Sequence, residues 1–143
     1  MIVVDTNVVS ELLRSAPQQD VFSWWNSQIP GDLFVTVITE AELRYGAAIL
    51  PAGFRKRELL VRIEHMLTDF FDGRVLTLDV PAAREYARML AHRRSVGRSL
   101  PMQDGMIAAI AYSNGATVAT RNVPDFTDCG VPVINPWESE SIR

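Results

Sequence analysis

Five short runs of apolar, largely β-branched residues punctuate the chain: Ile2–Val4, 33–37, 74–78, 117–120 and 132–134. Each is nearly continuously apolar rather than alternating, which is the pattern of strands covered on both faces. Between them, apolar residues return at helical spacing. The helical stretches are 6–14 (Val8, Val9, Leu12, Leu13), 18–29 (Val21, Phe22, Trp25, Ile29), 39–50 (Leu43, Ala47, Leu50), 54–71 (Leu59, Ile63, Leu67, Phe70), 81–97 (Ala83, Ala87, Leu90) and 101–114. In the last, Pro101 suits the first turn and Gly115 the stop. Strands alternating with helices predict an α/β sandwich with a mostly parallel sheet.

The length, 143 residues, fits one domain over 1–143. With 48% apolar residues it can bury a core without a staple. The longest uninterrupted apolar run, 106–112, is far short of a membrane span. The N-terminus has neither the basic nor the long apolar region of a signal peptide. Cys129 is the only cysteine, which excludes an internal disulfide and a cysteine-based zinc site. A cytoplasmic protein is the simplest expectation. The net charge of −3 argues against a general DNA-coating role. The cations are nonetheless lopsided: Lys56 is the only lysine, and Arg84, Arg88, Arg93, Arg94 and Arg98 crowd one helical stretch.

Three acids stand where acids are uncommon. Asp5 directly follows the first strand, and in parallel α/β sheets sites gather at the carboxyl ends of strands; it also suits a helix N-cap. Glu42 borders the buried face set by Leu43 and Ala47, whereas Glu40 points about 200° away. A capping box from Thr39 to Glu42 is the structural alternative. Gly46, one turn on, suggests close packing or access beside Glu42. Asp104 opens a stretch that is apolar all round; the helix dipole accounts for its charge but not for its place beside a core. Carboxylates gathered in one pocket repel and need a cation. An all-oxygen set without cysteine or paired histidine selects Mg²⁺ or Mn²⁺, ions suited to phosphoryl transfer. His65 and His92 lie on separate helices, and no Gly-rich phosphate loop is present.

Val3-Val4-Asp5-Thr6-Asn7, Glu42-Leu43-Arg44-Tyr45-Gly46, Asp104-Gly105-Met106-Ile107-Ala108-Ala109 and residues 119–126 (Ala-Thr-Arg-Asn-Val-Pro-Asp-Phe) together resemble the PIN-domain family. Within it they look most like the VapC-type toxins, in particular the FitB-like branch, which also tends to end in an Asn-Pro-Trp segment, here Asn135-Pro136-Trp137. The four motifs keep their order and spacing over nearly the whole chain. The resemblance implies a three-layer sandwich around a five-stranded parallel sheet, Mg²⁺- or Mn²⁺-dependent RNA cleavage, and a VapB- or FitA-like antitoxin partner. A homodimer and toxin–antitoxin hetero-oligomers are implied as well. Asp5, Glu42 and Asp104 match the family's three core acids. The fourth position falls either on Asn122, which brings no charge, or on Asp125, to which the carboxylate is assigned. Asn7, Thr120 and Asn122 are expected to support the acids by hydrogen bonds, and Arg84, Arg88 and Arg121 to hold phosphates of the RNA.

The expected function is a metal-dependent endoribonuclease toxin, leaving a 5′-phosphate and a 3′-hydroxyl. The alternative is a non-cleaving co-repressor locked to a DNA-binding antitoxin, which the low basicity suits. Trp24 and Trp25 are adjacent, so one is expected in the core and the other exposed or in a groove that an antitoxin helix can fill; the alternative is that both are mostly buried in the fold. A receiver- or phosphatase-like domain is disfavoured because no lysine occurs late in the chain.

Overall fold

The computed structural model describes residues 1–138; the last five residues of the one-domain expectation lie outside the described residues. The strands are β1 (Ile2–Val4), β2 (Leu33–Thr36), β3 (Val75–Leu76), β4 (Thr117–Ala119) and β5 (Val133–Ile134). They form one sheet in the order β3-β2-β1-β4-β5, with every pairing parallel. The helices are α1 (Thr6–Leu12), α2 (Gln19–Ser27), α3 (Val37–Ala48), α4 (Phe54–Glu64), α5 (Val80–Ser95), α6 (Met102–Ser113) and α7 (Val123–Phe126).

The two-residue period of the strands divides the core into two layers. Val4, Leu33, Val35 and Ala119 face one side and pack with Val8, Val9, Leu43, Ala47, Ile63 and Phe71. Val3 and Val118 face the other and pack with Met89, Ile107, Ala108 and Phe126. The three-layer sandwich is therefore present, with α6 buried along most of its length. Gly105 permits the close approach of α5 and α6: a Cβ there would lie 2.9 Å from the Tyr86 ring and 3.1 Å from Leu100. Gly115 stops α6 in the left-handed region, at φ 64°.

The departures from the sequence expectation that bear on the site concern α3, the 54–71 stretch and α7. Helix α3 starts at Val37, and its N-cap is Thr36, whose Oγ1 accepts from Thr39 N at 3.2 Å. The Thr39–Glu42 capping box is thus not formed, which releases both side chains for other partners. The single helix expected over 54–71 becomes α4 followed by a π-helical turn, His65–Phe70. The wider turn lets Phe71 bury completely while Phe70 stacks on Trp25, with centroids 5.0 Å apart. Helix α7 is one turn, too short to read from periodicity.

Chain order places β2 on one side of β1 and β4 on the other. The connection direction reverses at this point, leaving a crevice at the carboxyl ends of β1 and β4.

Candidate active site

Asp5 ends β1 in that crevice. Its main chain donates to Ala119 O at 2.9 Å, which fixes it to β4. Its Oδ1 accepts from Thr6 N at 2.7 Å, so it caps α1. Its Oδ2 accepts from Thr120 Oγ1 at 2.7 Å and from Asn7 Nδ2 at 3.2 Å. The cap and the pocket are two uses of one carboxylate. Burial raises its pKa and outweighs the opposing hydrogen bonds from Thr120 and Thr6; the charges of Glu42 and Asp125 raise it further.

Glu42 reaches the same crevice from α3. Its Oε1 accepts from Thr6 Oγ1 at 3.0 Å. Thr6 has one hydroxyl proton, so the 2.9 Å contact with Thr39 Oγ1 runs from Thr39 to Thr6. Glu40 turns away as expected and pairs with Arg44 at 3.0 Å. Asp104, in the first turn of α6, completes the group with Asp125 of α7. Burial first, then a hydrogen bond with the Asp125 carboxyl, then the charges of Asp5, Asp125 and Glu42 push its pKa up to about 7.

A cavity of about 540 Å³ opens onto three of these acids, lined in part by Asp5, Asn7, Glu42, Asp104 and Asn122; Asp125 does not line it and joins the group through Asp104. Asn122 contributes its main chain as well, donating to Thr120 Oγ1 at 3.0 Å. Asn7 Oδ1 accepts from Arg121 N at 3.3 Å, so the expected supports Asn7, Thr120 and Asn122 form one connected network around Asp5. The donors are oxygens, which suits a hard cation. Among the described residues, no three His, Cys, Asp or Glu side chains are already drawn into ligating geometry.

The cations are arranged differently from the expectation. Arg121 lines the cavity, its guanidinium 5.1 Å above the Trp137 ring. Arg84 and Arg88 do not line it; Arg88 pairs with Glu85 at 2.7 Å and covers Tyr112. Instead Arg14 does, paired at 3.2 Å with the largely buried Glu11. Glu11 also accepts from Gln18 N at 2.9 Å, and that bond, ahead of Arg14, keeps its pKa low. The polar residues Thr6 and Ser10 on α1, continued at the same spacing by Arg14 just beyond its end, are the sequence signal for this wall. His65, bonded to Asp69, and His92 are both exposed and do not line the cavity.

Gly46 corrects one expectation. A Cβ there would meet nothing within 4 Å, so close packing does not explain it. It lines a mixed groove of about 640 Å³ with Glu42, Arg14 and Arg62, which leaves access as its role. Gly46→Ala is accordingly expected to stabilise the fold by up to about 1 kcal/mol through helix propensity alone. A thermal melt checks this; a lower melting temperature would mean that the site is packed.

Trp24 is buried in the core and Trp25 lines a second groove with Leu12, Met66 and Phe70. No helix among the described residues is long and apolar enough to cross a membrane.

Residues 2–126 match the PIN domain. Toxin FitB of Neisseria gonorrhoeae is 42% identical, over 96% of this chain and 99% of its own length. VapC ribonuclease Y4jK of Sinorhizobium fredii is also 42% identical, again over 96% of this chain and 99% of that protein. The structure of FitAB bound to an IR36 DNA fragment superposes with a TM-score of 0.92 at 40% identity, covering 100% of both chains. Matched in sequence and in fold over nearly its whole length, the chain belongs to the PIN-domain family.

Proposed function

We propose that this protein is a metal-dependent endoribonuclease, the toxin of a type II toxin–antitoxin pair. The observation that carries the reading is the gathering of Asp5, Glu42 and Asp104 on one cavity wall at the carboxyl end of the sheet, with Asp125 beside Asp104; burial first, and then these neighbours, push the Asp104 pKa up to about 7. The ribonuclease name of the Sinorhizobium relative supports it. Asp5 and Asp104, with Glu42 and Asp125, would hold Mg²⁺ or Mn²⁺. When bound, such an ion activates water and neutralises charge on a phosphodiester.

The protein's own groups do the rest. Thr120 and Asn7 hold Asp5 Oδ2, and Thr6 holds Glu42, so two carboxylates keep their orientation before any ligand arrives. Arg121 and Arg14 sit on the cavity wall, where they suit the phosphates flanking the cleaved bond. Single-stranded or looped RNA is the substrate class, because its backbone can bend into a crevice of this kind. The groove lined by Trp25, Met66 and Phe70 suits an amphipathic segment of an antitoxin.

The co-repressor role remains a second reading, favoured by the DNA-bound FitAB complex that this chain resembles. A net charge of −3 leaves the DNA contacts to the antitoxin. Purified protein free of antitoxin, given Mn²⁺ and RNA, separates the two. Cleavage with 5′-phosphate ends that EDTA abolishes supports the nuclease; intact RNA supports the co-repressor. In the same assay Asp125→Asn is expected to lower the rate by about 10–100-fold. Asn122→Asp is expected to keep or raise it. Equal rates for wild type and Asp125→Asn across a Mg²⁺ titration would remove Asp125 from the site.

A further inference from the structure

Arg93 is a buried cation, only 4% exposed, on α5. No carboxylate pairs with it among the described residues. Its guanidinium binds main-chain carbonyls instead: Nη1 donates to Pro124 O at 3.3 Å and Thr127 O at 2.5 Å, and Nη2 to Ser99 O at 3.0 Å. Its Nε has no acceptor. A buried donor without a partner is destabilising, and apolar side chains commonly replace buried charges at no loss of stability. Stability alone is therefore a poor account of an arginine here.

The carbonyls it grips supply a better one. Pro124 and Thr127 bracket Asp125 on α7, a four-residue helix too short to hold itself. Ser99 lies in the segment that leads into α6 and Asp104. One planar fork thus ties together the main chains that carry both acids. Lysine cannot reproduce this, since its ammonium cannot span three carbonyls with fixed geometry.

We propose that Arg93 is a positioning residue for the acid pair, its buried guanidinium fixing Asp125 of α7 against Asp104 of α6. The inference rests on the nuclease reading above. Arg93 touches neither substrate nor reacting atoms; it acts through Asp125.

The test is a double-mutant cycle of Arg93→Ala and Asp125→Asn, read both as RNA cleavage and as Mn²⁺ binding by calorimetry. Arg93→Ala is expected to lower kcat and weaken Mn²⁺ binding by about 10–100-fold, the range for residues that orient metal-binding groups, with KM for RNA nearly unchanged. In the Asp125→Asn background the same change should cost less than about 3-fold, because the residue through which it acts is already disabled. Methylguanidinium at millimolar concentration should restore cleavage to Arg93→Ala. Should Arg93→Ala fail to fold, Arg93→Lys, which keeps the charge and loses the fork, takes its place in the cycle. Equal losses in the two backgrounds, or a loss confined to KM, overturn the role of Arg93. Wild-type protein that neither binds Mn²⁺ nor cuts RNA overturns the nuclease reading itself, and this inference with it.

Discussion

Asp5→Asn and Asp104→Asn are each expected to lower RNA cleavage by about 100-fold or more. Each removes a full negative charge from the proposed ion site. Charge stabilisation by a bound metal is worth several kcal/mol at the transition state, and each 1.36 kcal/mol is tenfold in rate. The amide keeps the shape, so the fold should survive. Asp5→Asn also disturbs the acceptor of Thr120 and Asn7, which adds misorientation to the lost charge. Glu42→Gln should follow the same direction, while Glu40→Gln, which only breaks a partly exposed pair with Arg44, should leave cleavage within about 2-fold. Steady-state cleavage of one RNA by the four variants decides it. A damaging Glu40→Gln beside a harmless Glu42→Gln would reverse the facing of α3 toward the site.

Without added metal, Asp104→Asn is expected to melt higher than wild type at pH 8. The Asp104 carboxyl has a folded-state pKa of about 7, against an ordinary value of 3.8, chiefly through burial and then through Asp125. A raised folded pKa means that the folded protein binds this proton more tightly than the unfolded chain does. The resulting stabilisation is complete below pH ~4 and is lost as pH rises through about 7. Above that, the folded state holds a partly buried charge among like charges, and the amide relieves it. Because Asp104 is only partly buried, about 1–2 kcal/mol is expected, less than the full shift would give. The advantage of Asp104→Asn should shrink as pH falls toward 5, where wild type carries the proton. Mg²⁺ should stabilise wild type by mass action and the variant much less. Melting curves of both proteins at pH 5 and 8, with EDTA and with Mg²⁺, check every part of this. If Asp104→Asn melts lower in EDTA at pH 8 and Mg²⁺ shifts both proteins equally, Asp104 is a helix-capping acid outside any shared site.

Much of the PIN fold was legible because its signals are local. Val3-Val4, Val35 and Val118 mark the strands, and the apolar stretch after Asp104 marks the buried helix α6. The turn of Glu42 toward the site and of Glu40 away from it follows from helical geometry and the buried face of α3 alone. The failures were also local. Helix α3 begins at Val37, two residues before the expected start, and Thr36 caps it in place of the alternative cap at Thr39, since two threonines three residues apart offer the backbone equivalent acceptors and the length of β2 decides between them. The π-turn before Phe71 and the single turn of α7 leave no periodicity to read.

The sequence by itself determined which residues carry charge, and that Asp5 follows the first strand, Glu42 lies on the helix after the second and Asp104 opens the buried helix. It could not determine which cations face them. Arg84 and Arg88 look from composition like a phosphate-binding run, yet neither lines the cavity, whereas Arg14 and Arg121 do. Nor could it distinguish Arg93 from its neighbours Arg94 and Arg98, although Arg93 is buried against carbonyls while Arg98 pairs with Asp128 at 2.8 Å. The reason is physical. Element type follows from interactions a few residues apart, whereas the partner of a long cationic side chain depends on how α5, α6 and α7 dock, and contacts spanning some thirty residues, such as Arg93 to Thr127 with |i−j| of 34, exist only once the chain has packed.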